Sequence, residues 1–341
     1  MSLATQMAAL AERTNLPDTL VAFGIDQLVA RTNRKLRHLG TPCAEFVQAM
    51  ETRPIADHTQ AANHQHYELP PAFFGSFLGP RRKYSCCLYP TGGESLDEAE
   101  LHALEETIAH AQLADGQKIL ELGCGWGALS LFMASRFPQA RIVAVSNSTP
   151  QRLYIEAQAA ERGLQNLEII TADMNEFTSD ETFDRVVSVE MFEHMANWRA
   201  LLSRIRAWLG AEGKLFLHVF AHHQHPYRFN HEDPSDWIAK YFFTGGLMPS
   251  HELITAFPDL FQLERDWRWN GRHYALTARD WLRRYDANIH DVRQSLNQVY
   301  GADAPLWERR WRLFLLATAG LFGYAKGNVW GVSHYLLTPA S

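Results

Sequence analysis

The chain has 341 residues, 46% hydrophobic and 21% charged, with 21 Gly and 15 Pro; this composition supports a large core and excludes a small peptide scaffold, a long disordered tract and a collagenous repeat. A formal charge of −6, with Arg81-Arg82-Lys83 the one short basic cluster that stands out, argues against a nucleic-acid binder, which needs a basic face to neutralise phosphates. No run of 18 apolar residues occurs and the first 30 residues lack a signal-peptide pattern, so a cytoplasmic protein is expected.

Residues 1–65 show helical periodicity, with Leu20, Phe23, Leu28, Val29, Phe46 and Met50 among the apolar positions, and read as a helical N-terminal extension. Lys83 to Tyr89 reads as a loop or short strand, and Ser95 with Glu98 forms a capping-box pattern that opens a helix running to about Gln112. Strands are predicted at Lys118–Leu122, Arg141–Val145, Leu167–Ile170, Phe183–Val189 and Lys214–Phe220, separated by helices at Ala128–Arg136, Gln151–Glu161 and Arg199–Trp208. The alternation predicts an α/β core over residues 66–220, built on a mostly parallel sheet covered on both faces. From Ala221 to about Asn270 it fails among His, Pro and aromatic residues, and this stretch reads as an inserted cap. Helices at Arg279–Asp286, Val292–Val299 and Leu306–Phe322 carry the cap and pocket region to 327, and a strand at Val329–Leu336 returns residues 328–341 to the core sheet.

The sharpest motif is Glu121-Leu122-Gly123-Cys124-Gly125-Trp126-Gly127, after the first core strand and before a helix. Glycines allow a tight turn and a close ligand approach, and the helix N-terminus beyond them offers unpaired N–H groups. The spacing is G-x-G-x-G, not the dinucleotide G-x-G-x-x-G, and the acid precedes the glycines, where it can hold an amino group. Gly123 and Gly125 therefore point to the amino-acid end of S-adenosylmethionine. Parallel sheets bind ligands at the carboxyl ends of their strands, so Gly123, Asn147, Asp173 and Glu190 should converge on one cleft. Asp173 is placed to accept from an adenine amino group, a solvated loop acid or a helix cap being its plainer role; Asn147 and Gln151 stand where an acid for the ribose is more usual, and either could equally be an N-cap or a turn residue.

Glu190, Glu193 and His194 are spaced i, i+3, i+4, which places them on one face if the segment is helical. A neutral imidazole beside a carboxylate suits proton removal near pH 7, and the carboxylate attracts an ammonium. A surface turn or cap at the start of the next helix is the plainer role for Glu193 and His194. Five histidines between His218 and His231 lack Cys or carboxylate partners at zinc spacing, so no metal is expected, and Cys43, Cys86, Cys87 and Cys124 read as reduced thiols.

Several segments together resemble the cyclopropane-fatty-acid-synthase superfamily of S-adenosylmethionine-dependent transferases, and within it the coclaurine N-methyltransferase-like branch. They are His66-Tyr67-Glu68-Leu69-Pro70, Tyr84-Ser85-Cys86-Cys87, the glycine motif, Ser146-Asn147-Ser148 with Gln151, Glu190-Met191-Phe192-Glu193-His194-Met195, Tyr241-Phe242-Phe243, Gly271-Arg272-His273-Tyr274 and Leu321-Phe322-Gly323-Tyr324. The resemblance spans about residues 65–338 and implies a Rossmann-like class I methyltransferase sheet with a helical N-terminal extension and an inserted cap. It implies cofactor contacts at Tyr84, Ser85, Gly123, Asn147, Gln151 and Asp173, and a substrate pocket with Tyr67, Glu190, Glu193, His194, Phe243, Trp311 and Phe314. Spacing alone would give Trp311 and Phe314 to a helix's core face. In cyclopropane synthases a bicarbonate base is held by groups that match Cys86, Glu193, His218 and Tyr274, whereas a late cysteine of those enzymes is Thr318 here.

The expected activity is N-methylation of a small apolar or aromatic amine, with Glu190, Glu193 and His194 holding and deprotonating it. Two alternatives stand: methylene transfer to a lipid alkene as a cyclopropane-fatty-acyl-phospholipid synthase, and a non-catalytic S-adenosylmethionine-binding module. Only the lipid reading calls for a membrane surface, and the basic content of the N-terminal helices is modest, at Arg31, Arg34, Lys35, Arg37 and His38. Association into a homo-oligomer is left open by the sequence.

Overall fold

The computed structural model describes residues 10–14, 16–57, 69–233 and 236–340. Its centre is a seven-stranded sheet in the order β3-β2-β1-β4-β5-β9-β8. Strands β1 (Lys118–Leu122), β2 (Arg141–Ser146), β3 (Leu167–Thr171), β4 (Phe183–Val189) and β5 (Leu209–His222) are parallel, while β9 (Trp330–Pro339) runs antiparallel between β5 and β8 (Phe261–Asn270). The apolar runs Ile119-Leu120 and Ile142 to Val145 are buried on both faces, as strands covered by crossover helices require. The strand order reverses between β1 and β4, so the loops after these strands splay apart and open a cleft at their carboxyl ends.

Helix α4 (Leu96–His110) begins at the expected capping box: the Ser95 side chain accepts from the Glu98 N–H while the Glu98 carboxylate accepts from the Ser95 N–H. Ahead of it lie α1 (Asp18–Leu39), α2 (Cys43–Glu51) and the short α3 (Pro71–Phe77). The crossover helices are α5 (Ala128–Arg136), α6 (Thr149–Glu161) and α7 (Trp198–Trp208). After β5 come the short strands β6 (Tyr227–Arg228) and β7 (Leu247–Met248), with α8 (Trp237–Tyr241) between them, and after β8 the helices α9 (Arg272–Ala287), α10 (Ile289–Tyr300) and α11 (Ala304–Gly323). Helix α1 is fastened to α11 by Arg312, which bridges Asp18 and Asp286.

One stretch departs from the sequence reading. Residues 261–270, expected within an irregular cap over 221–270, form β8 at the sheet edge. Residues 262 to 266 of this strand are exposed, and Glu264, Arg265, Asp266 and Arg268 bring charge to it, so no apolar alternation marks it; charged edge strands of this kind resist pairing with other chains. Tyr67 lies outside the described residues. Among the described residues, no helix is long and apolar enough to cross a membrane.

Candidate active site

Two adjoining cavities open at the carboxyl ends of the parallel strands, and Tyr84, Glu190 and His194 line both. The first collects Ser85, Gly123, Gly125, Asn147, Gln151 and Asp173, so the separate strand-end signals of the sequence do meet. Gly123 has φ +79° and Gly125 φ +53°, a left-handed backbone that disfavours other residues, and a Cβ on Gly123 would strike the Met191 side chain at 2.5 Å. Gly125 faces open space, leaving its backbone accessible from the cavity.

Polar groups in this cavity are prepared but incompletely paired. Gln151 is buried, its Oε1 accepts from the Ser146 hydroxyl, and its Nε2 has no hydrogen-bond partner within the protein. The Trp126 indole N–H beside it is likewise buried without a partner. Leaving such donors unmade is unfavourable by about 1–3 kcal/mol each, so they fit a polar ligand that completes them. Glu121, just ahead of the glycines, is buried against the Ser130 hydroxyl, and burial pushes its carboxyl up to about 7. Asp173 reaches the cavity and also closes a turn, its Oδ1 accepting from the Asn175 N–H at 2.8 Å, and it caps no helix.

The second cavity is mostly apolar, lined by Phe220, Phe229, Phe243, Phe314, Trp281 and Leu321 among others, with Tyr274 and Thr318. Phe243 stacks on the His194 ring at a centroid distance of 4.4 Å, and Phe314 stacks on Phe242 at 4.4 Å. Trp311 does not reach this cavity. It is fully buried against Phe73, at 4.9 Å, and Phe242, at 5.0 Å, so the core role that its helix spacing suggests is the one the fold gives it.

Between the cavities stands Glu190, in a left-handed conformation with φ +49°, a strain of about 1–2 kcal/mol for a non-glycine residue. Its Oε1 accepts from the Cys86 backbone N–H at 2.8 Å and lies 3.1 Å from His218 Nε2, and its Oε2 accepts from the Tyr274 hydroxyl at 2.6 Å. Burial pushes the carboxyl's pKa up, opposed by the nearby Lys83 charge and by the Cys86 and Tyr274 hydrogen bonds. Cys86, His218 and Tyr274, expected to hold a bicarbonate, are thus gathered around a carboxylate of the chain itself.

Glu193 takes another place. The segment is a 3₁₀ turn, Phe192–His194, not a continued helix, so the one-face geometry expected of Glu190, Glu193 and His194 does not form. The Glu193 carboxylate lines neither cavity; its Oε1 accepts from the Phe220 N–H at 2.6 Å, and its Oε2 is buried without a hydrogen-bond partner. Burial, reinforced by the Glu190 charge, raises its pKa well above the usual carboxylate range, which favours the neutral acid.

Lys83, read in the sequence only as part of a basic cluster, is buried and donates to the Ser85 hydroxyl and the Cys86 carbonyl, shaping the loop that presents Cys86 N–H to Glu190. Its adjacency to Tyr84-Ser85 was the one available signal. His222 closes a turn, its Nδ1 accepting from the N–H groups of Gln224 and His225, and no cluster suited to a metal occurs among the described residues.

A family model described as mycolic acid cyclopropane synthetase matches residues 56–332. An (S)-coclaurine N-methyltransferase from Thalictrum flavum subsp. glaucum is 35% identical over 296 residues, 85% of this chain and 82% of that protein. A cyclopropane-fatty-acyl-phospholipid synthase from Escherichia coli (strain K12) is 29% identical over 270 residues, 79% of this chain and 66% of that one. Among solved structures, a coclaurine N-methyltransferase bound to N-methylheliamine and SAH superposes with a TM-score of 0.92 at 31% identity, covering 99% of this chain and 100% of that chain.

Proposed function

The chain belongs to the mycolic acid cyclopropane synthetase family, and we propose that within it this protein is an S-adenosylmethionine-dependent N-methyltransferase of a small, largely apolar or aromatic amine. The observation that carries this reading is the Glu190 carboxylate, fixed by Cys86, His218 and Tyr274 at the junction of a polar and an apolar cavity. S-adenosylmethionine supplies an electrophilic methyl group. Gly123, Gly125, Gln151, Asn147, Asp173, Tyr84 and Ser85 would hold it in the first cavity, and the orphaned Gln151 and Trp126 donors fit its polar periphery.

Methyl transfer from a sulfonium is an in-line displacement, so the protein must aim an amine lone pair, exclude water and accept a proton. Phe243, Phe314, Phe220 and Trp281 supply the water-poor wall. Glu190 attracts the ammonium form and takes its proton, and His194, on the rim of both cavities and stacked on Phe243, orients the nitrogen. Glu193 ties this turn to β5 through Phe220 and is a positioning residue in this account. The methylene-transfer alternative has less support, because three of the four groups that would embrace a bicarbonate, Cys86, His218 and Tyr274, already embrace Glu190.

A panel of cyclic secondary amines incubated with methyl-labelled S-adenosylmethionine tests the proposal. Label on nitrogen is expected, at a rate that rises with pH through the apparent pKa of Glu190 and amine together. Label in no amine, under conditions where the cofactor binds, would overturn it.

A further inference from the structure

Behind Glu190 a file of histidines runs through the sheet. His218 on β5 and His334 on β9 are register partners, and both are completely buried. His218 Nδ1 lies 2.8 Å from His334 Nε2; His334 Nδ1 lies 2.8 Å from Nδ1 of His110, the last residue of α4; and His110 Nε2 lies 3.1 Å from Glu106 Oε1, whose side chain is 43% exposed. Aromatic rings wall the file: Trp267 stacks on His110 at 3.7 Å, and Trp269 and Phe216 pack on His334.

We infer that His218, His334 and His110 form a proton relay joining Glu190 to solvent at Glu106, so that the proton taken from the amine leaves while the cleft is filled. The inference rests on the reading of Glu190 as the proton acceptor. Three hydrogen bonds run from Glu190 to His110, and His110 Nε2 stands within ion-pair distance of Glu106; three neutral rings bring three N–H groups to these four contacts, so the remaining proton sits on Glu190 or on Glu106, and the outermost contact carries it once the Glu106 side chain turns into line. Moving outward, the Glu190 O–H breaks as His218 Nε2–H forms. His218 Nδ1–H passes to His334 Nε2, His334 Nδ1–H to His110 Nδ1, and His110 Nε2–H to Glu106, which releases the proton to water. Each ring then stands in its other tautomer. The reverse shift resets them in the open enzyme, Glu106 taking a proton from water and Glu190 giving one to water entering the cleft, so each turnover releases one proton.

The surroundings favour a shift through neutral rings. Burial holds His218 and His334 well below the usual histidine range and His110 at about 4, so none needs to persist as an imidazolium. Lys83 faces His218, His334 and Glu190, Arg265 of β8 faces His110, and Glu193, Cys86, Cys87 and Tyr274 are the further titratable groups that face Glu190.

Nitrogen-15 spectra of histidine-labelled protein with SAH bound read the tautomers directly. The expected result is one shared polarity along the three rings, with Glu106→Gln shifting the His218 resonances from the far end of the file. Mixed polarity, or a His218 ring indifferent to Glu106→Gln, overturns the relay without touching the amine reading, since no acceptor is present. In turnover, His334→Gln keeps a donor and an acceptor but has no second tautomer. With an accepted amine its kcat should fall toward the roughly 10²-fold loss expected when assisted proton transfer is removed, with KM values held and the solvent deuterium isotope effect changed. Wild-type kcat and isotope effect in His334→Gln also overturn it. If no amine is methylated, the functional reading fails while the spectra still decide the relay.

Discussion

The two halves of the cleft are built differently. The cofactor side comes from consecutive strand ends, Gly123 and Gly125 after β1, Asn147 and Gln151 after β2, Asp173 after β3, and relies on backbone geometry and short polar side chains. The acceptor side draws Cys86, Glu190, His218, Phe243, Tyr274 and Phe314 from segments scattered over much of the chain, and depends on burial and tertiary packing. The first side is a local motif that tolerates little change in main-chain conformation. On the second, the proposed chemistry falls to one carboxylate, Glu190, whose burial raises its pKa.

The sharpest way to break this contrast is Glu190→Gln. It should lower turnover by roughly 10²–10⁴-fold, as for loss of a general base, while calorimetry shows SAH affinity nearly unchanged. An equal loss of cofactor affinity would mean that the two sides are not separable. Trp311→Ala should act on the fold instead, lowering stability by about 3–5 kcal/mol in denaturant titration through the cavity left among Phe73 and Phe242, with the amine KM unmoved at permissive temperature.

Glu121 sharpens the comparison from the cofactor side. Its folded-state pKa near 7 lies above its unfolded value, so the stability it contributes is complete at low pH and is lost as pH rises from about 4.5 through 7. The loss reaches about 3 kcal/mol, and Glu121→Gln should flatten it. An ammonium brought by the ligand would restore the charged form, so SAH binding near pH 7 should release a proton, seen as a buffer-dependent heat in calorimetry. No buffer dependence would remove Glu121 from the amino-group contact. The smallest effect is expected at Glu193: Glu193→Ala should lower stability by about 1–3 kcal/mol by stranding the Phe220 N–H, whereas Glu193→Gln keeps an acceptor and should retain fold and turnover. Loss of turnover in a stable Glu193→Gln protein would return that carboxylate to the chemistry.

The same contrast explains what could be read in advance. The sheet and glycine turn were legible because apolar runs, capping residues and strand-end polar groups are local signals. Strand β8 was hidden because an exposed edge bears charge and no alternation. The spacing of Glu190, Glu193 and His194 singled out a segment that reaches the cavities, but a helical periodicity does not hold for a 3₁₀ turn, which sends Glu193 toward β5 and leaves Glu190 and His194 at the cavities. Nothing local could pair His218 with His334, since their contact arises from the antiparallel register of β5 and β9.

Glu190 is proposed as a built-in base standing where a borrowed one would otherwise be needed. Bicarbonate-depleted reactions with labelled S-adenosylmethionine, a cyclic secondary amine and unsaturated phospholipid vesicles test it most directly. Label is expected on the amine nitrogen, at a rate indifferent to added bicarbonate. Label that appears only in the phospholipid chains, and only when bicarbonate is restored, would contradict it.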